Sequence, residues 1–477
     1  MEKRNHSRLK STSEEFNQSI VKNFKLDLTF LRSIFNFSFS GISNIVIFYI
    51  GISYLVFRWG PIEFSHRENN GIIFLLIVYI LAIKLGFILG GKFKLYDDND
   101  STILFSNHWL LRRQNIIITL GLKLGILISV WEAMNLFGNN PILIFNYLLN
   151  SVFNPSIGYS RLQQLIGVSE VNILLSMSHI FLTFLVYFSL VNSISKWKSR
   201  TKITRVNKIL TITYILMRIL SAILIGTNFV LFSLAIFIII PLLFSNNSPR
   251  KGWRVNKERK IIFTLLLTIG LSVIFFFFHT ISSRLNWTSI PESFLGVPIN
   301  HEHILMKFPS QISNGIIIFT FYLANGFNGF AIAQTMPLVS TFGFGFGRIP
   351  LSLGRRILGL ELNNRTFLYR MQDYWHPTLT WHTAFTWFAN DFGFIFVSVQ
   401  LFFISFVFAM LLKDAIIKGN LIAKTLIPFY VIFFIFLPLN NIIFSAILGY
   451  PFAILHIWWV LPRIFSYRKL KLLSNKT

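Results

Sequence analysis

The stretch from 348 to 393 combines five arginines with a cluster of aromatic residues, and it lies between strongly apolar segments. The arginines are Arg348, Arg355, Arg356, Arg365 and Arg370. Guanidinium groups bind phosphate oxygens in a bidentate, fixed geometry, and several of them together can hold a pyrophosphate. The pattern therefore predicts an anion site in this stretch. The alternative is that these side chains contact lipid headgroups while their alkyl chains lie along apolar surface.

The same stretch offers two candidates for proton transfer. His382 is the first choice for a general base, because a neutral imidazole accepts a proton near neutral pH. Asp391 is the alternative base, or the residue that orients His382. Nine residues separate the two, which on a continuous helix places them on opposite faces. They can cooperate only if the helix begins after His382; otherwise Asp391 is a cap or packing contact and His382 an interfacial residue.

Aromatic residues and two outlying arginines extend this set of candidates. Trp375 and Trp381 have flat apolar faces that suit sugar rings, and they equally suit an aromatic belt at the membrane interface. Arg284, which follows an apolar segment, and Arg161, the only cation within 137–168, are further candidates for a pyrophosphate. The sequence shows no Ser/His/Asp arrangement, metal-ligand cluster or phosphate-cradling loop motif, so no metal site is expected.

The composition indicates what positions these residues. Of the 477 residues, 53% are hydrophobic and only 13% are charged, which leaves too little polar surface for a soluble globule. Apolar windows of the length that crosses a membrane occur at 33–57, 71–91, 114–136, 169–194, 208–226, 227–245, 260–281, 387–412, 425–441 and 442–462. We therefore expect an all-α polytopic membrane protein with about ten to twelve transmembrane helices.

The positions of the basic residues bear on both partner and topology. A formal net charge of +26 would suggest nucleic acid binding in a soluble domain. Here the lysines and arginines lie almost entirely between apolar windows, before the first and after the second, fourth and sixth. This alternation is the positive-inside pattern. It argues against nucleic acid as a partner, favours attraction to anionic lipid, and places the N-terminus in the cytoplasm.

Counting crossings places the arginine stretch on the outer side. Seven windows put residue 282 onward outside, and the basic C-terminal tail requires an odd number of further crossings. The last three windows satisfy this if the stretch 314–347 makes no net crossing. Its six glycines weaken a continuous helix, so a re-entrant hairpin or two short spans are expected. The predicted organisation is a cytoplasmic tail (1–32), seven helices (33–281), an external region (282–386), three helices (387–465) and a cytoplasmic tail (466–477).

Ionisable residues inside the apolar windows form a separate set. An ionisable group at membrane depth is a functional hypothesis by default. Lys123 and Glu132 lie nine residues apart in the third window. The favoured interpretation is that both extend to the interface, Glu132 near the outer end above all; the alternative is an ion pair across helices or a proton path. The others are Lys84, His179, Arg218 and His456.

The segment 382–394, HTAFTWFANDFGF, resembles the Wzy-type O-antigen polymerases, or oligosaccharide repeat unit polymerases, in which a Thr-rich or aromatic stretch ending in Asp-Phe-Gly begins a late span. It also resembles the related O-antigen ligases, whose signature places a histidine at a fixed distance before Gly-x-x-Gly. His382 and Gly393 keep that spacing, whereas Thr383 and Phe396 depart from the signature.

Three further segments carry the same resemblance. The stretch YLANGFNGFAIAQ (322–334) is similar to the small-residue stretch that precedes the large external loop of these polymerases. Arg348 and Gly359 fit their Arg-x10-Gly pattern. Gly226 and Thr227 resemble their Gly-Thr-Arg turn, with Asn228 in place of the arginine.

The resemblance implies a GT-C-like glycosyltransferase that uses no nucleotide sugar, metal or other cofactor. It would transfer a glycan from undecaprenyl pyrophosphate to a sugar hydroxyl of another lipid-linked repeat unit, outside a bacterial cytoplasmic membrane that holds both termini on its inner side. Its partners would be the undecaprenyl-pyrophosphate-linked oligosaccharide, membrane lipid and a regulator of polysaccharide chain length. Arginines would stabilise the departing phosphate, and His382 would accept the proton of the acceptor hydroxyl.

Three alternatives remain open at the level of sequence. An O-antigen ligase would differ in its acceptor, which is the lipid A core. A flippase for the same lipid-linked sugars is a transporter, and transporters tend to carry paired broken helices in both halves, whereas only 314–347 has that composition here. A structural or assembly subunit without catalysis is the third.

Overall fold

A computed structural model describes residues 39–93, 101–138, 140–160, 173–199, 203–244, 264, 267–268, 270–281, 285, 289–375, 380–445 and 448–474. Within these residues nearly all regular structure is helical. Six of the described helices are long and apolar enough to cross a membrane, and five shorter apolar helices accompany them. The expected class, an all-α polytopic membrane protein, is thus the class of this fold. The predicted tail over 1–32 lies outside the described residues.

The helices follow the predicted windows closely along most of the chain. The longer ones are α1 (Phe39–Trp59), α2 (Gly71–Lys92), α3 (Ser101–Phe137), α4 (Pro141–Phe153), α5 (Ile173–Ser199), α6 (Arg205–Ile225), α7 (Asn228–Phe244), α8 (Gly270–Ile281), α9 (Ser310–Gln334), α10 (Arg348–Leu358), α11 (Ala384–Phe392), α12 (Val397–Ile417), α13 (Leu421–Phe436) and α14 (Gly449–Ser474). Strand β1 (Ser293–Phe294) pairs antiparallel with β2 (Val297–Pro298). Short helical turns lie at Ile304–Met306, Leu362–Arg365, Phe367–Arg370 and Ile442–Ser445.

Close helix packing relies on small residues. On α2, Gly86 and Gly90 lie directly against the backbone carbonyl groups of Phe402 and Phe406 on α12. This small-x-x-x-small spacing lets two helices approach until their backbones touch, which favours association where lipid competes for apolar surface. Elsewhere α3 packs against α5 and α6, and α9 packs against α1. The core between these helices is dominated by buried phenylalanines.

The predicted window 387–412 is divided in the structure. Helix α11 ends at Phe392, Gly393 follows with φ of 80°, and α12 begins at Val397. A φ of this size lies in the left-handed region that favours glycine, so the helix stops there. At the other end, the Thr383 side chain accepts the backbone N–H of Thr386 at 3.3 Å and caps the helix start. His382 therefore precedes α11, and Asp391 lies in its last turn.

The stretch 314–347 is less broken than its glycines suggest. Helix α9 is continuous from Ser310 to Gln334, so the expected interruption of the backbone is confined to residues 335–347. The glycines of α9 serve packing instead: Gly326 lies beside the carbonyl groups of Pro438 and Leu439, where a side chain would collide. Tertiary contacts here outweigh the low helix propensity of glycine.

Helix α9 and the segment before it contact the connection between α1 and α2. Just before its start, His303 Nε2 lies 3.0 Å from the carbonyl oxygen of Trp59. Near its end, the Asn328 side-chain oxygen accepts the backbone N–H of His66 at 3.3 Å. Helix α9 has 25 residues and is itself one of the six candidate spans, so at about 1.5 Å per residue its two ends lie far apart. The connection between α1 and α2 therefore runs alongside α9 and the segment before it. The elements over 289–309 contact this connection as well, because Ile62 and Ile299 form a β-bridge.

Candidate functional site

Asp391 organises a loop of small and aromatic residues. Its carboxylate accepts the backbone N–H of Gly343 at 2.9 Å and that of Gly345 at 2.9 and 3.1 Å, and it also accepts the hydroxyl of Thr341. Only 2% of Asp391 is exposed. A buried carboxylate that accepts several donors fixes their positions. We call residues 337–347, whose middle part this carboxylate holds, the anchored loop.

The neighbour of Asp391 ties in a second segment. The Asn390 side chain donates to the carbonyl of Gly345 at 2.9 Å and accepts the backbone N–H of Phe367 at 2.8 Å. The last turn of α11 therefore joins the anchored loop to the short helix at 367. The sequence hypothesis that Asp391 orients His382 does not match this geometry, because the Asp391 carboxylate is directed at loop backbone and the two residues lie at opposite ends of α11.

His382 is buried against α9, and its ring nitrogens lack partners. Only 1% of the residue is exposed, and among the described residues neither ring nitrogen has a hydrogen-bond partner. The ring lies beside Gly329 and Trp375, since a Cβ on Gly329 would come 2.5 Å from His382 Nδ1 and 2.9 Å from Trp375 Cδ1. Burial, and secondarily the positive charge of Arg348, lower the pKa of His382 to about 3. The imidazole is therefore neutral at neutral pH and, while it stays buried, a weak base.

An orphaned buried imidazole is costly for a structural residue. Each buried polar atom without a partner loses its hydration without compensation, at about 1–3 kcal/mol. Buried polar groups in proteins are nearly always paired, so an exception calls for an explanation in function or bound solvent. We define the His382 site as His382 together with Gly329, Trp375 and the nearby Arg348.

Acidification is expected to destabilise the protein through this residue. The folded-state pKa of about 3 lies below the ordinary 6.5, so between these values the unfolded chain binds more protons at this position. The contribution of His382 to stability is therefore fully present above about pH 6.5 and is lost as the pH falls toward 3, by a few kcal/mol. Thermal unfolding in detergent as a function of pH measures it. A His382→Gln variant with the same slope in this window would contradict the assignment.

The glycine beside His382 is expected to be intolerant of substitution. Gly329→Ala places a methyl group within van der Waals distance of the imidazole and of Trp375, so the ring must move. We expect loss of about 1–3 kcal/mol of stability and of any activity that uses His382. The matched control is Gly51→Ala on α1, where no heavy atom lies within 4 Å of the added Cβ. Equal melting temperatures for the two variants would show that the pocket around His382 is looser than described.

Three of the predicted arginines lie on the exposed face of α10. Arg348, Arg355 and Arg356 are exposed, whereas Leu351 and Gly354 of the same helix are buried. The spacing of seven and eight residues places these guanidinium groups on one side of the helix. Arg355 forms an ion pair with Glu361 at 2.7 Å, with more than half of each side chain exposed. Such an exposed pair is weak and exchangeable for another anion.

The other two predicted arginines support the anchored loop. Arg365 donates to the carbonyl of Ser340 at 3.4 Å and lies 4.9 Å from the ring centre of Phe342. Arg370 donates to the carbonyl of Pro337 at 2.8 Å. Phe342 has φ of 58°, a strained value for a residue with a side chain, so the loop needs such external support. These guanidinium groups bind protein carbonyls where the sequence hypothesis placed a phosphate.

Of the four remaining candidates, two tryptophans make packing contacts and two arginines lie outside the described residues. Trp375 is buried and donates to the carbonyl of Trp381 at 3.3 Å, and Trp381 packs edge-on against Tyr322 at 4.5 Å. Trp375 is thus part of the core and Trp381 is half-buried, and sugar stacking by these two residues stays a prediction. Arg161 and Arg284 lie outside the described residues.

A mostly apolar cavity with one charged pair in its wall lies within the bundle and was not predicted. Arg218 on α6 donates to Glu132 on α3 at 2.7 Å, whereas the sequence offered Lys123 as the other candidate partner of Glu132. The pair lines a cavity of about 610 Å³ that reaches Ser445, and the Ser445 hydroxyl accepts the backbone N–H of Arg348 at 3.5 Å. The available signal was the presence of Arg218 in an apolar window. Its partner depends on how α3 and α6 align, which periodicity alone does not give.

No protein-family model, no curated protein and no solved structure matches this chain. Among the described residues, no group of three or more His, Cys, Asp or Glu side chains is arranged to hold a metal ion.

Proposed function

We propose that this protein is a membrane glycosyltransferase, a polymerase that joins undecaprenyl-pyrophosphate-linked oligosaccharide repeat units on the outer side of a bacterial cytoplasmic membrane. The observation that carries the proposal is the buried, unpartnered His382, whose ring feels the positive charge of Arg348. Arg348 is the first residue of α10, the helix that exposes three arginines. We propose with it that the chain is related to the Wzy-type polymerases, which segment 382–394 resembles, and that its helices have a GT-C-like arrangement.

The reaction assigns separate tasks to the two groups. The acceptor hydroxyl attacks the anomeric carbon of the donor sugar, the bond from that carbon to the pyrophosphate oxygen breaks, and the hydroxyl proton passes to His382. The departing pyrophosphate gains negative charge, which Arg348 and Arg356 stabilise by charge-assisted hydrogen bonds. A neutral imidazole is the form that can accept the proton. In the enclosed state burial keeps the pKa of His382 low and the ring a weak base, so the substrate must displace part of its cover, which raises the pKa, before proton transfer.

The anchored loop and its supports position α10 for this role. Asn441 donates to the carbonyl of Phe346 at 2.5 Å, and Gly345 and Gly343 are held by Asp391. The loop therefore reaches α10 with a fixed backbone. A rigid support for the first arginine matters because phosphate binding by guanidinium groups depends on geometry as well as charge.

The proposal is tested in the source cells by disrupting the gene and separating the surface glycan by size. A polymerase predicts that the ladder of long chains collapses to single repeat units that still reach the surface. Complementation with the intact chain restores the ladder. A ladder that persists unchanged after disruption would refute the proposal.

Topology offers an independent check of the outer location. The chain has no cysteine, so a single thiol introduced by Ser352→Cys on the exposed face of α10 can be labelled specifically. A membrane-impermeant maleimide is expected to react with intact cells, after removal of the outer envelope where one exists. Reaction only after the cytoplasmic membrane is opened would contradict the proposed side.

Two arginines of the same region are expected to respond differently to substitution. Arg356→Ala removes an exposed side chain, so stability should be unchanged while polymer output falls about tenfold or more, since a charge-assisted contact contributes about 1.5–3 kcal/mol. Arg370→Ala removes a support of the anchored loop, so the melting temperature should also fall. Thermal unfolding and the glycan ladder separate the two effects. A destabilised Arg356→Ala with normal polymer would reverse the assignment.

The cavity around Arg218 and Glu132 favours one alternative, a flippase for the same lipid-linked sugars, because polar groups inside a bundle can line a transport path. The gene disruption described above distinguishes a polymerase from a flippase and from an O-antigen ligase. Loss of a flippase removes glycan from the surface altogether, and loss of an O-antigen ligase leaves long chains that stay attached to the lipid carrier.

A further inference from the structure

The cavity between α3, α5, α6 and α7 has the size and lining of a ligand site. Its volume of about 610 Å³ falls within the range of about 300–1,000 Å³ typical of small-molecule pockets. Ser445, Leu448 and the exposed Asn135 are among the residues that line it. Most of the lining is apolar, and Arg218 and Glu132 bring an ion pair into it. Ionisable groups are costly between membrane helices and usually mark a substrate path or site.

The charged pair in the wall determines which ligand class fits. Arg218 Nη1 and Glu132 Oε2 lie 2.7 Å apart, and the two side chains are 20% and 24% exposed, on the cavity side. The pair carries no net charge. A phosphate entering here would be repelled by Glu132 and would have to displace it from Arg218. A neutral ligand with many hydroxyl groups can instead donate to the carboxylate and accept from the guanidinium group while the pair stays intact.

The rest of the lining complements such a ligand. Trp131, Tyr187 and Tyr214 supply aromatic surface. The hydroxyls of Ser129 and Ser233 donate to carbonyl groups of their own helices and keep their acceptor sites for a ligand. Flat apolar rings with polar tips, placed beside planar hydrogen-bonding groups, match the alternating apolar and hydroxyl faces of a sugar ring.

We infer that this cavity binds a neutral sugar residue of the glycan, as a subsite separate from the arginines of α10. The inference rests on the proposed function for the identity of the glycan. The position supports it: Ser445 forms part of the cavity wall and also contacts the first residue of α10. A glycan held in the cavity therefore ends close to Arg348, where its pyrophosphate-linked or acceptor end is needed.

Two single-thiol variants test the subsite. Ser233→Cys places a thiol in the cavity wall, and Ser352→Cys places one between the arginines of α10, in a chain that has no other cysteine. The purified full chain, in a detergent whose headgroup contains no sugar, is labelled with a maleimide in the presence of one of two probes. The first is oligosaccharide released by mild acid from the surface glycan of the source cells, and the second is inorganic pyrophosphate.

Oligosaccharide is expected to slow labelling at position 233 about tenfold when present at about ten times its dissociation constant, whereas pyrophosphate leaves that rate unchanged. Removing both charges together, by Glu132→Gln with Arg218→Gln, avoids stranding a single buried charge. Without ligand, the thiol at position 233 should react at the same rate with and without this double substitution. In the double variant, oligosaccharide should no longer slow the reaction. No protection by oligosaccharide, protection by pyrophosphate, or protection that survives in the double variant would each overturn the inference.

The thiol at position 352 separates this inference from the proposed function. Protection there by pyrophosphate supports the phosphate role of α10, whatever happens at position 233. Protection at 233 by oligosaccharide with none at 352 by pyrophosphate would keep the sugar subsite and remove the transfer chemistry assigned to the arginines.

Discussion

His382→Ala is expected to reduce polymer formation by about 100-fold or more, because general base catalysis contributes about 10²–10⁴ to a rate. The variant removes the only assigned proton acceptor and leaves the arginines of α10 in place. Binding of the lipid-linked substrate should therefore persist while turnover is lost. Purified protein, supplied with lipid-linked repeat units in detergent, allows the two to be measured separately.

The control for this variant is a second histidine of the same region. His301 is exposed, and His301→Ala should leave both polymer formation and melting temperature unchanged. His382→Ala deletes two unsatisfied ring nitrogens together with the packing of the ring, so its stability loss should be smaller than that of an apolar residue of similar size. A folded His382→Ala protein that makes polymer at the normal rate would remove this residue from the mechanism.

Asp391→Ala is expected to have the largest effect on stability. It leaves the buried backbone N–H groups of Gly343 and Gly345 and the hydroxyl of Thr341 without their acceptor. Each loss costs about 1–3 kcal/mol, so the total should exceed about 3 kcal/mol. The anchored loop should then become accessible to protease before the helices melt, because its backbone has lost its main attachment.

Two further substitutions serve as comparisons for the stability loss of Asp391→Ala. Asp391→Asn keeps one side-chain oxygen but turns an amide toward donors, so it should be destabilised to an intermediate degree. Asp373→Ala removes an exposed carboxylate of the same external region and should change little. If Asp391→Ala melts like wild type and loses only activity, the residue acts in chemistry and the loop is held by other contacts.

The positions of most helices could be predicted from the sequence, because a long apolar window indicates a helix that crosses a membrane. Helix α2 begins and ends within one residue of its predicted window. The break at Gly393 was missed since the residues on both sides are equally apolar, and only the backbone angle reveals it. The glycines of α9 led to the opposite error, a predicted break where the helix is continuous. Their packing against neighbouring backbone compensates for their weak helix propensity.

The sequence identified candidate residues for the site, but it did not give the contacts that each of them makes. Sequence singled out His382, Asp391 and the arginines, yet which arginine is exposed and which supports a loop depends on contacts far apart in the chain. Arg370 contacts Pro337, and Asp391 contacts Gly345, across distances that no local pattern encodes. The burial of His382 arises from α9, another element remote in sequence.

The central claim is that this chain alone performs glycan transfer between lipid-linked units. The most direct measurement incubates the purified chain with lipid-linked repeat units in detergent, with a chelator and without nucleotide sugars, and resolves the products by size. The account predicts a ladder of products, each one repeat unit longer than the last, with release of the pyrophosphate-bearing carrier. Substrate that remains at a single repeat unit, with protein shown to be folded, would contradict it.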